Sequence, residues 1–159
     1  MPLPLAERVL ASNLILEAKV TQTKSYWNAD HTIIFTANTI AVSKVYKGLH
    51  LLPGNSFNII TLGGTVNDQS LKVEPELELA SGDMGIFMLI EKDGRWVAES
   101  GPQGFIRLDK MDGSASDIFN HYPPFTIYSL IENLTQLKPT DINAGLTKIQ
   151  MNVKRAAAT

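Results

Sequence analysis

Apolar and polar residues change their spacing along the chain, and each change marks the start of a predicted element. In residues 5–11 apolar side chains recur at helical spacing, which predicts one short helix. From Leu14 apolar and polar residues alternate, which predicts a half-buried strand that continues to Trp27. A stretch rich in β-branched and aromatic residues follows over 31–46, with apolar residues on both faces. A strand of that length fits a sheet that bends around a barrel.

Shorter strands with turn residues between them fill the middle of the chain. They are predicted at 57–62, 84–90, 96–99 and 105–108, with a looser acidic stretch over 65–82. Asp93-Gly94 predicts a tight hairpin turn, because Asp-Gly accepts positive φ angles. The pattern predicts a mainly β fold, a small closed OB-like barrel of about five or six strands.

Helical spacing returns after Pro124. Apolar residues stand at i, i+3, i+4 and i+7 from Ile127 to Leu134, which predicts a helix. The spacing over 142–153 allows a second helix, although Gly145 lowers its propensity. We therefore divide the chain into an OB-like barrel with its N-terminal helix over 1–120 and a C-terminal helical cap or linker over 121–159.

Composition and charge argue against several classes of protein. The chain has 159 residues, which is the size of one domain. It carries 14 basic and 16 acidic residues and a net charge of −2, which argues against nucleic-acid binding. No apolar run approaches the roughly 20 residues that a membrane-spanning helix needs. The absence of cysteine removes disulfides, thiolate catalysis and Cys-ligated metals.

Side chains that could carry catalysis are scattered along the chain. His31, His50 and His121 each stand beside a turn, and none has the spacing of a zinc-protease motif. The sequence also has no nucleophile elbow and no glycine-rich phosphate loop. We therefore expect no enzymatic activity and no cofactor. A hydrolase built from residues distant in sequence stays open as an alternative.

An acidic turn offers the strongest candidates for a metal site. Asp109, Asp112 and Asp117 surround Gly113, and calcium takes carboxylate oxygens from turns of this kind. The spacing does not match that of an EF-hand loop, because only Asp109 and Asp112 precede the glycine. A solvated turn is the preferred interpretation, so we expect no bound metal.

Three aromatic residues are candidate binding residues. Tyr26 and Trp27 stand at a strand end, and Trp96 follows a predicted turn. Exposed aromatic rings can stack on sugars, so these residues favour a carbohydrate-binding module as an alternative function. The other interpretation is that the three rings cover the end of the barrel core.

A series of short motifs resembles a known family. In chain order they are the helix at 5–11, Ser25-Tyr26-Trp27, Ile33-Ile34-Phe35-Thr36, Val42-Ser43-Lys44-Val45-Tyr46-Lys47-Gly48, Gly63-Gly64, Ser81-Gly82-Asp83, Ile86-Phe87-Met88-Leu89 and Gln103-Gly104-Phe105. The series resembles netrin-like modules with an OB-type barrel, a group that includes the tissue inhibitors of metalloproteinases. It is most similar to the cysteine-free versions in secreted bacterial multidomain proteins. The resemblance covers about residues 5–110, and the run at 42–48 is its most specific part.

The resemblance implies a non-catalytic binding or spacer module of a larger secreted or cell-envelope protein. Its partner would be another protein or a neighbouring domain of the same chain. The chain starts without a signal peptide and ends in small residues, so we expect a mature domain excised from a longer protein. The animal inhibitors chelate the protease zinc with an N-terminal cysteine. This chain begins Met1-Pro2 and has no cysteine, so that mechanism is not supported.

Overall fold

The computed structural model describes residues 2–74 and 76–136, which form a mainly β fold with two short helices. The helices are α1 (Leu5–Ala11) and α2 (Thr126–Thr135). The strands are β1 (Leu14–Trp27), β2 (Ile34–Lys47), β3 (Ser56–Leu62), β4 (Gly64–Val66), β5 (Gln69–Leu71), β6 (Met84–Lys92), β7 (Arg95–Ala98), β8 (Phe105–Leu108), β9 (Ala115–Ser116) and β10 (His121–Tyr122). The mainly β fold is confirmed. The helix predicted over 142–153 lies outside the described residues.

One sheet contains eight of these strands, in the order β1-β2-β3-β7-β6-β8-β9-β10. Within it, β1 also pairs with β6, so that Leu14 lies opposite Leu89 and Lys19 opposite Met84. β3 meets β7 in parallel, where Ile59 lies opposite Trp96. The pairings therefore lead from β1 through β2, β3, β7 and β6 back to β1. β4 and β5 form a separate hairpin.

The β1–β2 hairpin is the longest element, and it bends at three shifts of register. The third shift lies between Val20 and Gln22, where one residue of β1 has no partner on β2. Such a bulge strengthens the twist and exchanges the two faces of the strand. Before it, Val20 points into the core, and after it Thr23 takes the inward position opposite Asn38. The other two shifts leave Ser43 and Tyr46 of β2 without a partner on β1, so the predicted long strand itself contains two bulges near its end.

Two apolar cores lie on opposite sides of the sheet. The side chains of β6 point alternately into one core and the other. Phe87 packs with Leu16 in the first, which we call the inner core. Met88 packs with Ile15 in the second core, beneath α1 and α2. Because both faces of β6 are buried, the strand is a nearly continuous apolar run. α1 and α2 complete the second core with one apolar face each.

The Lys47-Gly48 pair at the end of β2 joins that strand to the end of α1. Lys47 Nζ donates hydrogen bonds to the carbonyl oxygens of Val9 and Leu10, at 2.9 and 3.3 Å. Both carbonyls belong to the last helical turn, where the regular helical donors run out, and Val9 accepts only a long bond of 3.4 Å from the Ser12 amide besides. Burial lowers the pKa of the Lys47 ammonium. Gly48 follows at φ 80°, a left-handed conformation that glycine adopts without strain.

A buried ion pair ties α1 to the C-terminal part of the sheet. The guanidinium Nη1 of Arg8 lies 3.2 Å from Asp117 Oδ2, and both side chains are at most 2% exposed. The same Nη1 donates to the Gln103 carbonyl oxygen at 2.8 Å, and the Tyr122 hydroxyl donates to Asp117 Oδ2 at 2.9 Å. One network of polar side chains thus connects the N-terminal helix, the turn before β8 and the β9–β10 turn.

Alkaline conditions are expected to destabilise the fold through Tyr122. Burial, reinforced by the Asp117 carboxylate, raises the pKa of Tyr122 from 10 to about 12. The folded state therefore favours the neutral phenol. The contribution of the neutral phenol to the free energy of unfolding is therefore fully present below pH 10 and is lost as the pH rises to about 12.

Urea titrations between these two pH values should show the free energy of unfolding falling by about 2–3 kcal/mol through this residue. The Tyr122→Phe variant cannot ionise at this position and serves as the control. Its stability should fall less steeply with pH than that of the unchanged protein. Equal slopes would contradict the assignment.

Candidate functional site

A groove with a volume of about 460 Å³ lies on the side of β2, β3 and β7 that faces away from the inner core. We call it the outer groove. Its apolar lining consists of Phe35, Ile60, Leu62, Ile90 and Val97. Alternation along the strands explains its position, since Ile34 and Ile59 are buried in the fold and their neighbours Phe35 and Ile60 face outwards. The volume is within the range of ligand-binding clefts.

Two aromatic rings and a guanidinium form a stack at one end of the outer groove. The Tyr26 and Phe35 ring centres are 6.0 Å apart, and the ring planes differ by 29°. The Arg95 guanidinium carbon lies 4.8 Å from the Phe35 ring centre on β2. A cation over an aromatic face is attracted by the negative charge of the ring face. The stack therefore holds Arg95 beside the apolar lining.

The turn between β6 and β7 brings positive charge to the rim of this groove. Asp93 and Gly94 have φ angles of 53° and 76°, so the tight Asp-Gly turn predicted from the sequence is confirmed. Lys92 and Arg95 are paired in register on either side of the turn. Their two positive charges are balanced by Asp93 and by Glu76, which also line the groove.

A second cavity lies on the opposite face of β2, between the β1–β2 hairpin and a covering segment made of residues 62–73 and 76–79. We call it the inner cavity, and its volume is about 420 Å³. The side chains of its strand wall are short and polar: Thr23, Ser25, Thr36, Asn38 and Thr61. Ser25 Oγ and Thr36 Oγ1 share a hydrogen bond of 2.8 Å, and Thr36 Oγ1 donates to the Gly63 carbonyl at 2.7 Å.

The three aromatic residues predicted to bind lie in three different surroundings. Tyr26 belongs to the stack at the outer groove. Trp27 points to the opposite face of β1 and stacks on His31, with ring centres 5.6 Å apart. Trp96 packs edge-on against Phe57 at 6.4 Å and borders the inner core. The structure thus does not assemble the three rings into one platform.

The acidic residues predicted as metal candidates are engaged in their own turns. Asp109 Oδ1 accepts the Met111 amide, and Asp112 Oδ1 accepts the Ser114 amide and hydroxyl. Asp117 is the partner of Arg8. Within residues 2–74 and 76–136, no three His, Asp or Glu side chains are grouped so that they could hold a metal ion.

The three histidines lie at separate exposed positions. His31, His50 and His121 belong to a turn, a short helical turn and β10, respectively. None of them lines the outer groove or the inner cavity. The arrangement that a hydrolase with distant catalytic residues would need, a histidine between a carboxylate and a nucleophile, is not formed around either space.

Exposed apolar side chains form a further surface feature between β8 and α2. Met111 is 95% exposed and Phe125 is 66% exposed. Phe125 has a φ of 64°, and its ring lies over Gly113, where an added methyl group would overlap it. The Phe125 amide also donates to the Gly113 carbonyl at 2.8 Å. The ring is therefore held in place although it faces solvent.

Sequence reasoning missed Phe35, Arg95 and the groove that they border. The available signal was the apolar character of both faces of β2 and β3, shown by the neighbours Ile34-Phe35 and Ile59-Ile60. One residue of each pair, Ile34 or Ile59, is buried in the core. The other face is therefore free for a binding surface.

Comparison with known proteins does not assign the chain to a family. No protein-family description matches it, and no curated protein matches its sequence. Neither helix among the described residues is long and apolar enough to cross a lipid bilayer.

Proposed function

We propose that this chain is a non-catalytic binding module that holds a polypeptide segment in the outer groove. The segment would belong to a protein partner or to a neighbouring domain of the same chain. The observation that carries the proposal is the stack of Tyr26, Phe35 and Arg95 beside an apolar groove of about 460 Å³. Aromatic residues and arginine around a well-formed depression supply most of the binding energy at protein interfaces.

The lining of the outer groove favours one kind of segment. Ile60, Leu62 and Val97 offer apolar surface to a leucine-like or aromatic side chain. Arg95, fixed over Phe35, offers hydrogen-bond donors to a carboxylate next to that side chain. The rim carries charges of both signs, so a nucleic-acid backbone would find no positive field there.

The strand pairings support a finer description of the fold. We infer that the sheet closes into an OB-type barrel, because its pairings return from β6 to β1 and include one parallel contact, between β3 and β7. This arrangement and the motifs between residues 5 and 110 favour a netrin-like module of the bacterial secreted type. Its proposed location is extracellular or in the cell envelope, as part of a larger protein.

Selection from a displayed library of random peptides tests the binding site. We expect enriched peptides to share an apolar or aromatic residue next to an acidic one. The Phe35→Ala variant should bind them about 30-fold more weakly or worse, because it removes a central contact. Arg95→Ala should weaken acidic peptides more than neutral ones.

Thr39→Ala provides the matched control for these variants. Thr39 lies on the same outward face of β2 as Phe35, but it does not line the groove. The control should bind the selected peptides like the unchanged protein. A library without enriched sequences, or peptides that Phe35→Ala retains fully, would contradict the proposal.

A further inference from the structure

We propose that the inner cavity is a second binding site, which takes a small neutral molecule rich in hydroxyl groups. Its strand wall is the opposite face of β2 from the outer groove, since Thr36 and Asn38 line the cavity and Phe35 lines the groove. The two spaces meet at Thr61, Leu62 and Glu76, which line both. Its volume of about 420 Å³ suits a ligand of the size of a sugar or a cyclic polyol. One buried side chain and the hydroxyl groups around it indicate the chemistry of this ligand.

The buried side chain is Asn38, which is 0% exposed and lines the cavity. Its Nδ2 donates hydrogen bonds of 3.0 Å to the Ile59 carbonyl and to Thr61 Oγ1. A carbonyl oxygen can only accept, so the amide nitrogen must be the atom that faces Ile59. This fixes the orientation of the side-chain amide. Asn38 Oδ1 is then left buried without a hydrogen-bond partner among the described residues.

A buried carbonyl oxygen without a donor destabilises the folded state, because it has given up its hydrogen bonds to water without replacement. A molecule that fills the cavity and offers a donor to Asn38 Oδ1 removes this destabilisation. Water can do the same, but a space of about 420 Å³ holds many waters rather than one fixed molecule. A single ligand with several hydroxyl groups replaces those waters and their hydrogen bonds together.

The remaining lining selects for neutral, hydroxylated ligands. Thr36 gives its hydroxyl proton to the Gly63 carbonyl and Ser25 gives its own to Thr36, so both oxygens are left as acceptors for a polyol hydroxyl. The Thr23 hydroxyl can donate or accept. The strand wall contains no lysine or arginine, so it offers no positive charge to a phosphate or a carboxylate. From the covering segment, Leu77 and Leu79 add apolar contact for the carbon skeleton.

The charged side chains of the covering segment also favour a neutral, hydroxylated ligand. Lys72, Glu76 and Glu78 also line the cavity, and together they carry more negative than positive charge. Carboxylates accept hydrogen bonds from sugar hydroxyls and repel anions. A neutral ligand is therefore favoured at the mouth as well as at the strand wall.

Titration of the isotopically labelled protein followed by NMR tests the proposal. The probes are D-glucose, D-galactose, N-acetyl-D-glucosamine and myo-inositol, with inorganic phosphate as the charged comparison. We expect at least one neutral probe to shift the amide signals of Thr23, Ser25 and Thr36 with saturation, and phosphate to leave them unchanged. Oligosaccharides of the binding sugar then distinguish a free small molecule from the end of a glycan chain.

Three variants locate the binding. Thr23→Val keeps the shape of an exposed residue and removes one hydroxyl group, so the affinity should fall about three- to tenfold. Asn38→Leu removes the amide and should abolish binding. Thr39→Val changes a threonine of β2 on the outward face, and its affinity should stay unchanged. If Asn38→Leu does not fold, Thr23→Val against Thr39→Val decides the question.

Several results would overturn the proposal. One is the absence of saturable shifts with every neutral probe, which would leave water as the content of the cavity. Another is unchanged binding in Thr23→Val, or shifts centred on Phe35 and Arg95 instead. Because Phe35→Ala should leave sugar binding intact, failure of this proposal and failure of the outer groove are distinguishable.

Discussion

Replacing Asp117 by alanine should lower the free energy of unfolding by about 3–5 kcal/mol. The change leaves the Arg8 guanidinium buried without its carboxylate, and it removes the acceptor of the Tyr122 hydroxyl. A buried charge without a partner is costly because the protein interior solvates it poorly. Urea denaturation followed by circular dichroism measures the loss.

The exposed pair of Lys44 and Glu132 is the matched control. Its atoms are closer, at 2.7 Å, but its side chains are 46% and 49% exposed. Water already solvates both charges, so Glu132→Ala should cost less than about 1 kcal/mol. The double variant Arg8→Met with Asp117→Leu should recover much of the stability, since it removes both buried charges together. Equal losses for Asp117→Ala and Glu132→Ala would contradict the role of burial.

The second large effect is expected for Gly48→Ala, which should cost about 2–4 kcal/mol. Two causes add at this position. The φ of 80° strains any residue with a Cβ, and the new methyl group would overlap the carbonyl oxygen of Asn13. That carbonyl is backbone at the start of β1, so it cannot move aside like a flexible side chain.

Gly94→Ala separates the two causes. Gly94 has a similar φ of 76°, but an added methyl group would meet nothing within 4 Å. Its loss should be only about 1 kcal/mol, the cost of the backbone conformation alone. The difference between the two free energies of unfolding measures the close approach of Gly48, just after β2, to Asn13, just before β1. Equal losses in the two variants would show that the contact with Asn13 is unimportant.

The longer elements could be predicted because each is long enough to show a period. The helix at 5–11 and the first strand at 14–27 have the bounds that the sequence indicated. β4, β5, β9 and β10 were missed, since two or three residues cannot display an alternation. The sequence pattern therefore indicates no strand after 105–108, although β9 and β10 continue the sheet beyond β8.

The candidate sites were harder to predict, because their partners are distant in sequence. In the sequence Arg8 is one polar residue of a short predicted helix. In the structure it is buried and pairs with Asp117, which lies 109 positions later in the chain. Asn38 stood in a predicted strand among other polar residues, and nothing local revealed that its surroundings are closed. The alternation along β1 did imply that Tyr26 and Trp27 point to opposite faces of the strand. Two rings on opposite faces cannot form a single binding platform.

The contacts at the end of β2 also give a physical meaning to the sequence motif over residues 42–48. In the run from Val42 to Gly48, Lys47 binds the last carbonyls of α1 and Gly48 allows the chain to pass Asn13. The lysine is explained by its contact with the end of α1, and the glycine by the close approach to Asn13 before β1. The motif indicates how β2 ends, and it carries no chemistry of its own.

Site-specific photo-crosslinking in the native host tests most directly whether the outer groove binds a polypeptide. A photoreactive amino acid replaces Ile60, which lines the groove, or Thr39, which lies on the same face outside it. We expect Ile60 to be crosslinked to one defined polypeptide segment, Arg95→Ala to reduce this product, and Thr39 to give none. No product at Ile60, or equal products at both positions, would contradict a binding role for the groove.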